Sequence, residues 1–187
     1  MGTEATGSSP SRRRQTALAA VESFNTWTMD AIMAVRTDDC IHQVLPGTSE
    51  NPIIEYQTTA LLLLSSFLFF LLTAFLASLG RPPMDNATYG AYFSTMIPHF
   101  KDFKVTVQDL VEDAHENKVV VWARSTASTE IGPYKNEYML LFEFNEAGDK
   151  ITKFLEFVDS ANSVVFFPKL RDHIAQKASV EEKSSSS

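Results

Sequence analysis

A carboxylate that alternates onto the apolar side of a strand is the first residue in this sequence equipped for chemistry. In the run Lys150 to Asp159, two-residue periodicity puts Glu156 on the face of Phe154 and Val158. Burying an ionised carboxyl group among apolar side chains is costly unless it is paired or put to use. His42 lies in a shorter strand-like run, Cys40 to Leu45, and shares a face with Cys40 and Val44. Burial raises a carboxyl pKa and lowers that of an imidazole, so both groups can exchange protons near neutrality. Glu156 and His42 would together form an acid/base couple. Taken singly, Glu156 also reads as a rim residue paired with a cation, and His42 as a satisfied core histidine. Asp159 falls on the opposite alternation from Glu156. It is a third acid if the strand kinks near its end, and otherwise the residue that organises the following turn.

Asn136 and Tyr138 share one strand face with Leu140, Phe142 and Phe144, where they could orient a substrate oxygen. Trp122 and Tyr92 could supply pocket walls; ordinary core packing is the competing reading for all four. Glu137 faces the other way, and His99, His115 and His173 sit beside turns or near the tail, so none is assigned chemistry. One cysteine, Cys40, and four scattered histidines give no metal-ligand spacing. Cys40 cannot form an internal disulfide, which fits a reducing, cytoplasmic compartment, and in a strand it reads as a small buried thiol. The seven glycines are dispersed, with no phosphate-cradling loop and no nucleophile elbow. The expectation is a reaction without cofactor. A net charge of -7 argues against a nucleic-acid partner. The one concentrated positive run, Arg12 to Arg14, reads as a solvated patch.

The elements that must position these groups follow from periodicity. Apolar residues recur at helical spacing from Gln15 to Val35, and Thr26 and Thr28 around Trp27 divide the stretch into two short helices, a threonine capping the second. After the Cys40–Leu45 strand and Pro46, a helix is expected over Asn86 to Ile97, capped by Asp85 or Asn86 and ended by Pro98. From Phe103 the period becomes two, with strands through 103–108, 118–129, 134–145 and 150–159. Asn145 to Asp149 supplies hairpin turn chemistry. Ser160 to Gln176 returns to a short helix. Consecutive strands with short turns predict an antiparallel sheet with helices packed on one face, an α+β fold.

Element order and several strings resemble the SnoaL-like proteins of the nuclear-transport-factor-2-like superfamily, most nearly the small fungal isomerases and cyclases of meroterpenoid biosynthesis. The strings are DDCIHQVLP at 38–46, ASLGRPPMDN at 77–86, IGPYKNEY at 131–138 and EFVDS at 156–160. The resemblance implies a cone-shaped curved antiparallel sheet wrapped by the N-terminal helices, an apolar pocket, and commonly a homodimer. It also implies pocket-facing acids near Glu156 and acid/base groups on the strand of His42. Relatives use such pockets for proton-transfer isomerisation, cyclisation, epoxide opening or dehydration, and the activity the resemblance implies is an isomerase or cyclase, or else a lyase, acting on a small apolar metabolite such as a terpenoid or polyketide intermediate. Other members of such a fold only bind ligands or assemble, so a non-catalytic ligand-binding or dimeric interaction protein is the alternative.

One stretch does not belong to that fold. Residues 60–79 carry no charge and match the length that crosses a hydrocarbon core, roughly 20 residues. Most of them fall in an insert, 47–76, that interrupts a single domain spanning 15–176; the segments 1–14 and 177–187 read as disordered. The insert is a translated retained intron, a transmembrane helix or a lid helix. A membrane span would strand the first helices on the wrong side of the bilayer from the sheet they cover.

Overall fold

Alternation of apolar and polar residues produces the sheet. A computed structural model of the chain describes residues 9–46 and 82–185. The strands are β1 (Arg36–Leu45), β2 (Lys101–Asp113), β3 (Lys118–Thr129), β4 (Gly132–Phe144) and β5 (Ile151–Val158). They form one curved sheet in the order β1-β5-β4-β3-β2. Strands β2 to β5 meander antiparallel, in register Val121↔Leu140 and Leu140↔Glu156. The expectation of a wholly antiparallel sheet needs one correction, because β1 lies parallel to β5, Val44 opposite Glu156. A long connection, helical at Asn86–Met96, separates β1 from the meander, and this frees it from the hairpin constraint that makes sequential neighbours antiparallel.

The described residues also form four helices, α1 (Arg12–Thr26), α2 (Met29–Met33), α3 (Asn86–Met96) and α4 (Ser160–Ser185), with a 3-10 turn at Ile97–His99. Helix α1 starts three residues earlier than 15 because Ser11 caps it, accepting from the Arg14 N–H at 3.0 Å, while the Ser11 hydroxyl meets the Glu112 carboxylate. Arg13 is not a solvated charge either; it pairs with Glu112 and Asn117. Trp27, at φ 52°, divides α1 from α2, but Thr28 makes no side-chain cap. Asp85 caps α3 by accepting from the Thr88 N–H at 2.8 Å. Helix α4 runs past Gln176 to Ser185, since no glycine or proline interrupts 177–185 and Glu130 holds both His173 and Lys177. The segment 1–8, the insert 47–76 and the charge-free stretch 60–79 that overlaps it lie outside the described residues. Among the described residues, no helix is long and apolar enough to cross a membrane.

Ala17, Ala20 and Val21 of α1 share one buried cluster with Val119, Val121, Phe142 and Phe144 of the sheet. A fully buried side chain such as Phe142 contributes about 1.5–3 kcal/mol. Helix α1 also grips the β4–β5 turn, where the Thr16 hydroxyl donates to the Gly148 carbonyl at 2.8 Å. Gly148 has φ 71°, and a Cβ there would stand 2.9 Å from Cγ of Arg13, so both the turn and the helix contact require glycine. Strand β2 changes phase at Gln108. Val105 faces the core before the bulge and Leu110 after it. The outer sheet face carries a row in register, Trp122, Met139 and Phe157, with Val111 nearby, all exposed.

Candidate active site

Glu156 is set in place by its own strand. Phe154 and Val158 on either side of it are buried, and its lateral neighbours are Val44 on β1 and Leu140 on β4. The carboxylate, 21 % exposed, opens onto a cavity inside the cone. Phe24 and Trp27 from the α1–α2 junction, Tyr92, Phe93 and Met96 from α3, Phe100, Phe103 and Phe167 wall that cavity. Among the described residues that line it, Glu156 is the only charged one.

His42 is completely buried and stands behind Glu156 instead of facing the cavity. Its Nε2 lies 3.1 Å from Oε2 of Glu156, and its Nδ1 lies 3.1 Å from Nη2 of Arg36. Tyr89 stacks on the imidazole at 4.2 Å and 15°, and Phe154 closes the other approach at 4.4 Å. Burial holds the imidazole below its ordinary pKa; Glu156 opposes that shift and Arg36 adds to it. The ring is therefore neutral at physiological pH. Arg36, 6 % exposed, lies under the Tyr89 ring at 4.3 Å and pairs with no carboxylate among the described residues. Arg36 lies outside the strand expected from sequence, Cys40 to Leu45, because β1 begins four residues earlier. The available signal was its even-numbered place with Cys40 and His42.

A band of hydroxyl and amide groups faces the cavity on β4. The Asn136 amide donates to the Tyr134 hydroxyl at 2.9 Å and to the Ser163 hydroxyl at 3.2 Å. Tyr134 and Tyr138 share a hydrogen bond at 3.2 Å, and Tyr138 meets Ser125 at 2.9 Å. Burial pushes the Tyr138 phenol well above its ordinary pKa, aided by Tyr134 and Glu156, and pushes Tyr134 up to about 12. Both phenols thus keep their O–H and can donate. Tyr134 was not singled out from sequence, although the alternation of Asn136 and Tyr138 extends back to it.

Two expected site residues lie elsewhere. Trp122 points out of the sheet, since β3 turns Val121 and Ala123 inward, and its N–H donates to Glu137 at 2.5 Å. Trp27, stacked on Phe103 at 3.8 Å, takes the wall role instead. Asp159 is exposed and caps α4, its carboxylate accepting from the Ala161 and Asn162 N–H groups at 3.0 and 3.4 Å. The strand does not kink to bring it inward. Tyr92, Asn136 and Tyr138 do line the cavity. Cys40 is buried, its thiol pushed up by desolvation. The described residues contain no group of side chains able to hold a metal ion.

No protein-family model matches the chain. It is 31 % identical over 159 residues to core atranone cluster protein 11 of Stachybotrys chlorohalonatus, covering 85 % of this chain and 96 % of that one. Monooxygenase AacuP of Aspergillus aculeatus is 26 % identical, over 82 % of this chain and 86 % of its own. The fold matches the BvnE pinacolase from Penicillium brevicompactum with a TM-score of 0.66 at 24 % identity, over 88 % and 96 % of the two chains. An ntf2-like protein of unknown function from Burkholderia pseudomallei matches with a TM-score of 0.58 at 12 % identity, over 84 % and 98 %. On a sequence relationship that spans most of both chains, and on this shared cone of sheet and helices, the chain belongs to the SnoaL-like proteins of the nuclear-transport-factor-2-like superfamily.

Proposed function

We propose that the protein is an isomerase or cyclase that needs no cofactor and moves protons on an apolar, oxygenated secondary metabolite, a terpenoid or polyketide intermediate. The observation that carries this reading is Glu156, the one charged side chain among the described residues lining an aromatic cavity, with the buried imidazole of His42 at 3.1 Å behind it. Glu156 takes a proton from the substrate and returns it to a different atom, while the Tyr138 O–H donates to the substrate oxygen on which charge develops. His42 acts through Glu156. Asn136 and Tyr134 orient Tyr138, and Trp27, Tyr92 and their aromatic neighbours exclude water. A relative in an atranone cluster and the fold shared with a pinacolase both fit this substrate class. The test is incubation of the purified protein with terpenoid and polyketide ketones, followed by mass spectrometry and NMR of products. A product of unchanged mass that forms with wild type and not with a Glu156→Gln, His42→Ala variant supports the reading. Binding without conversion would make the protein a ligand carrier.

A second reading, monooxygenation, is favoured by the name of the relative AacuP. Gain of one oxygen atom, traced from labelled dioxygen, would select it over isomerisation.

The reading includes a homodimer and a cytoplasmic location. The apolar outer row Trp122, Met139 and Phe157 supports pairing with a second copy, since Arg124 and Glu137 put charges of both signs at its rim, as a self-complementary face needs.

A further inference from the structure

We propose that Arg36 is a positioning residue that fixes the tautomer of His42 and, through it, the orientation of Glu156. A guanidinium carries five N–H donors and no acceptor. At 3.1 Å from Nη2 of Arg36, Nδ1 of His42 can therefore take part only as an acceptor, with its lone pair free of a proton. The single ring proton must then sit on Nε2, where it points at Oε2 of Glu156 at 3.1 Å. The chain of donation runs one way, from Arg36 to His42 to Glu156. One carboxylate oxygen is thereby committed to the imidazole, and the other is left for a substrate proton.

The surroundings hold this arrangement. Arg36 comes from β1, and the described groups packed around it and His42 include Cys40 on the same strand, Met84, Tyr89 on α3, and Phe154 and Glu156 on β5. Tyr89 is pressed against both the imidazole and the guanidinium, so neither can rotate away. A buried arginine that pairs with no carboxylate among the described residues is expensive as a structural device. A hydrophobic residue would fill the volume at less cost, but it would leave Nδ1 free to carry the proton. The catalytic consequence rests on Glu156 being the proton acceptor proposed above. The tautomer itself does not, because it is measured without substrate.

The experiment is nitrogen NMR of the full chain labelled in its histidine rings, with the His42 signals assigned by their loss in His42→Gln. The ring-nitrogen shifts distinguish a bare from a protonated position. Wild type at neutral pH is expected to show Nδ1 bare and Nε2 protonated. Arg36→Gln, whose amide can either donate or accept, is expected to give a mixture of tautomers, and Arg36→Lys, a pure donor, to restore the wild-type pattern. A wild-type ring protonated on Nδ1 overturns the proposal even if no variant folds. So does a folded Arg36→Gln protein whose His42 signals match wild type. Absence of turnover on every substrate, with the expected tautomer present, would reject the enzyme reading and leave the role of Arg36 standing.

Discussion

Nε2 of His42 and Oε2 of Glu156 lie 3.1 Å apart although their strands are separated in sequence by most of the chain. The parallel pairing of β1 with β5 makes this contact, because Val44 sits opposite Glu156 and places His42 two residues deeper on the same face. The carboxylate meets the cavity and the imidazole meets the interior. The two expected partners are therefore unequal: one can touch a substrate and the other supports it.

Tyr138→Phe removes one hydroxyl and leaves the ring in place. If Tyr138 donates to a developing oxyanion, the variant should lose about 10²-fold in kcat, the usual cost of one such donor. Its melting temperature should change little beyond the lost bonds to Ser125 and Tyr134. Equal loss of KM affinity and no loss of kcat would make Tyr138 a binding contact only.

His42→Ala should destabilise the fold by about 3 kcal/mol, since it opens a cavity and strips Arg36 of its acceptor. The double variant with Arg36→Met removes the stranded cation as well. It should be more stable than the sum of the single effects by about 1–3 kcal/mol, read from denaturant midpoints. Strict additivity would mean that the two residues do not interact.

Stability should fall on mild acidification through His42. Its folded pKa lies below its ordinary value of 6.5, so the unfolded chain binds the proton more readily. The contribution is complete above pH 6.5 and is lost as pH falls from there toward the depressed folded value. Urea midpoints at about pH 7.5 and about pH 5.5 should differ more for wild type than for His42→Gln. Equal differences would contradict the burial of a neutral ring.

Met139→Asp places a charge in the middle of the Trp122, Met139 and Phe157 row on the outer face. Light scattering should give twice the chain mass for wild type and the single-chain mass for the variant. The same mass for both would remove this face as the dimer interface.

Much of this architecture was readable from local patterns. The two-residue period of Tyr134 to Phe144 turned Asn136 and Tyr138 inward, and that of Phe154 to Val158 did the same for Glu156. The misses have a common cause in tertiary pairing. The alternation of Arg36 with Cys40 and His42 is visible in sequence, but nothing near it shows that Tyr89 will cover it. The parallel partner of β1 depends on a distant strand, and the bulge at Gln108 that brings Leu110 inward depends on β3. Trp122 was attractive as a wall by residue type alone, whereas the strand period, applied strictly, puts it outside with Glu137 as its partner.

The most direct measurement of the central claim is the turnover rate of Glu156→Gln beside wild type on a substrate that wild type converts. Glutamine keeps the size of the side chain and an oxygen that can accept from His42, but it cannot take up a proton near neutrality. We expect the variant to stay folded, to bind the substrate, and to lose about 10²–10⁴-fold in kcat. A folded variant that turns over at the wild-type rate would show that the proton leaves by another group.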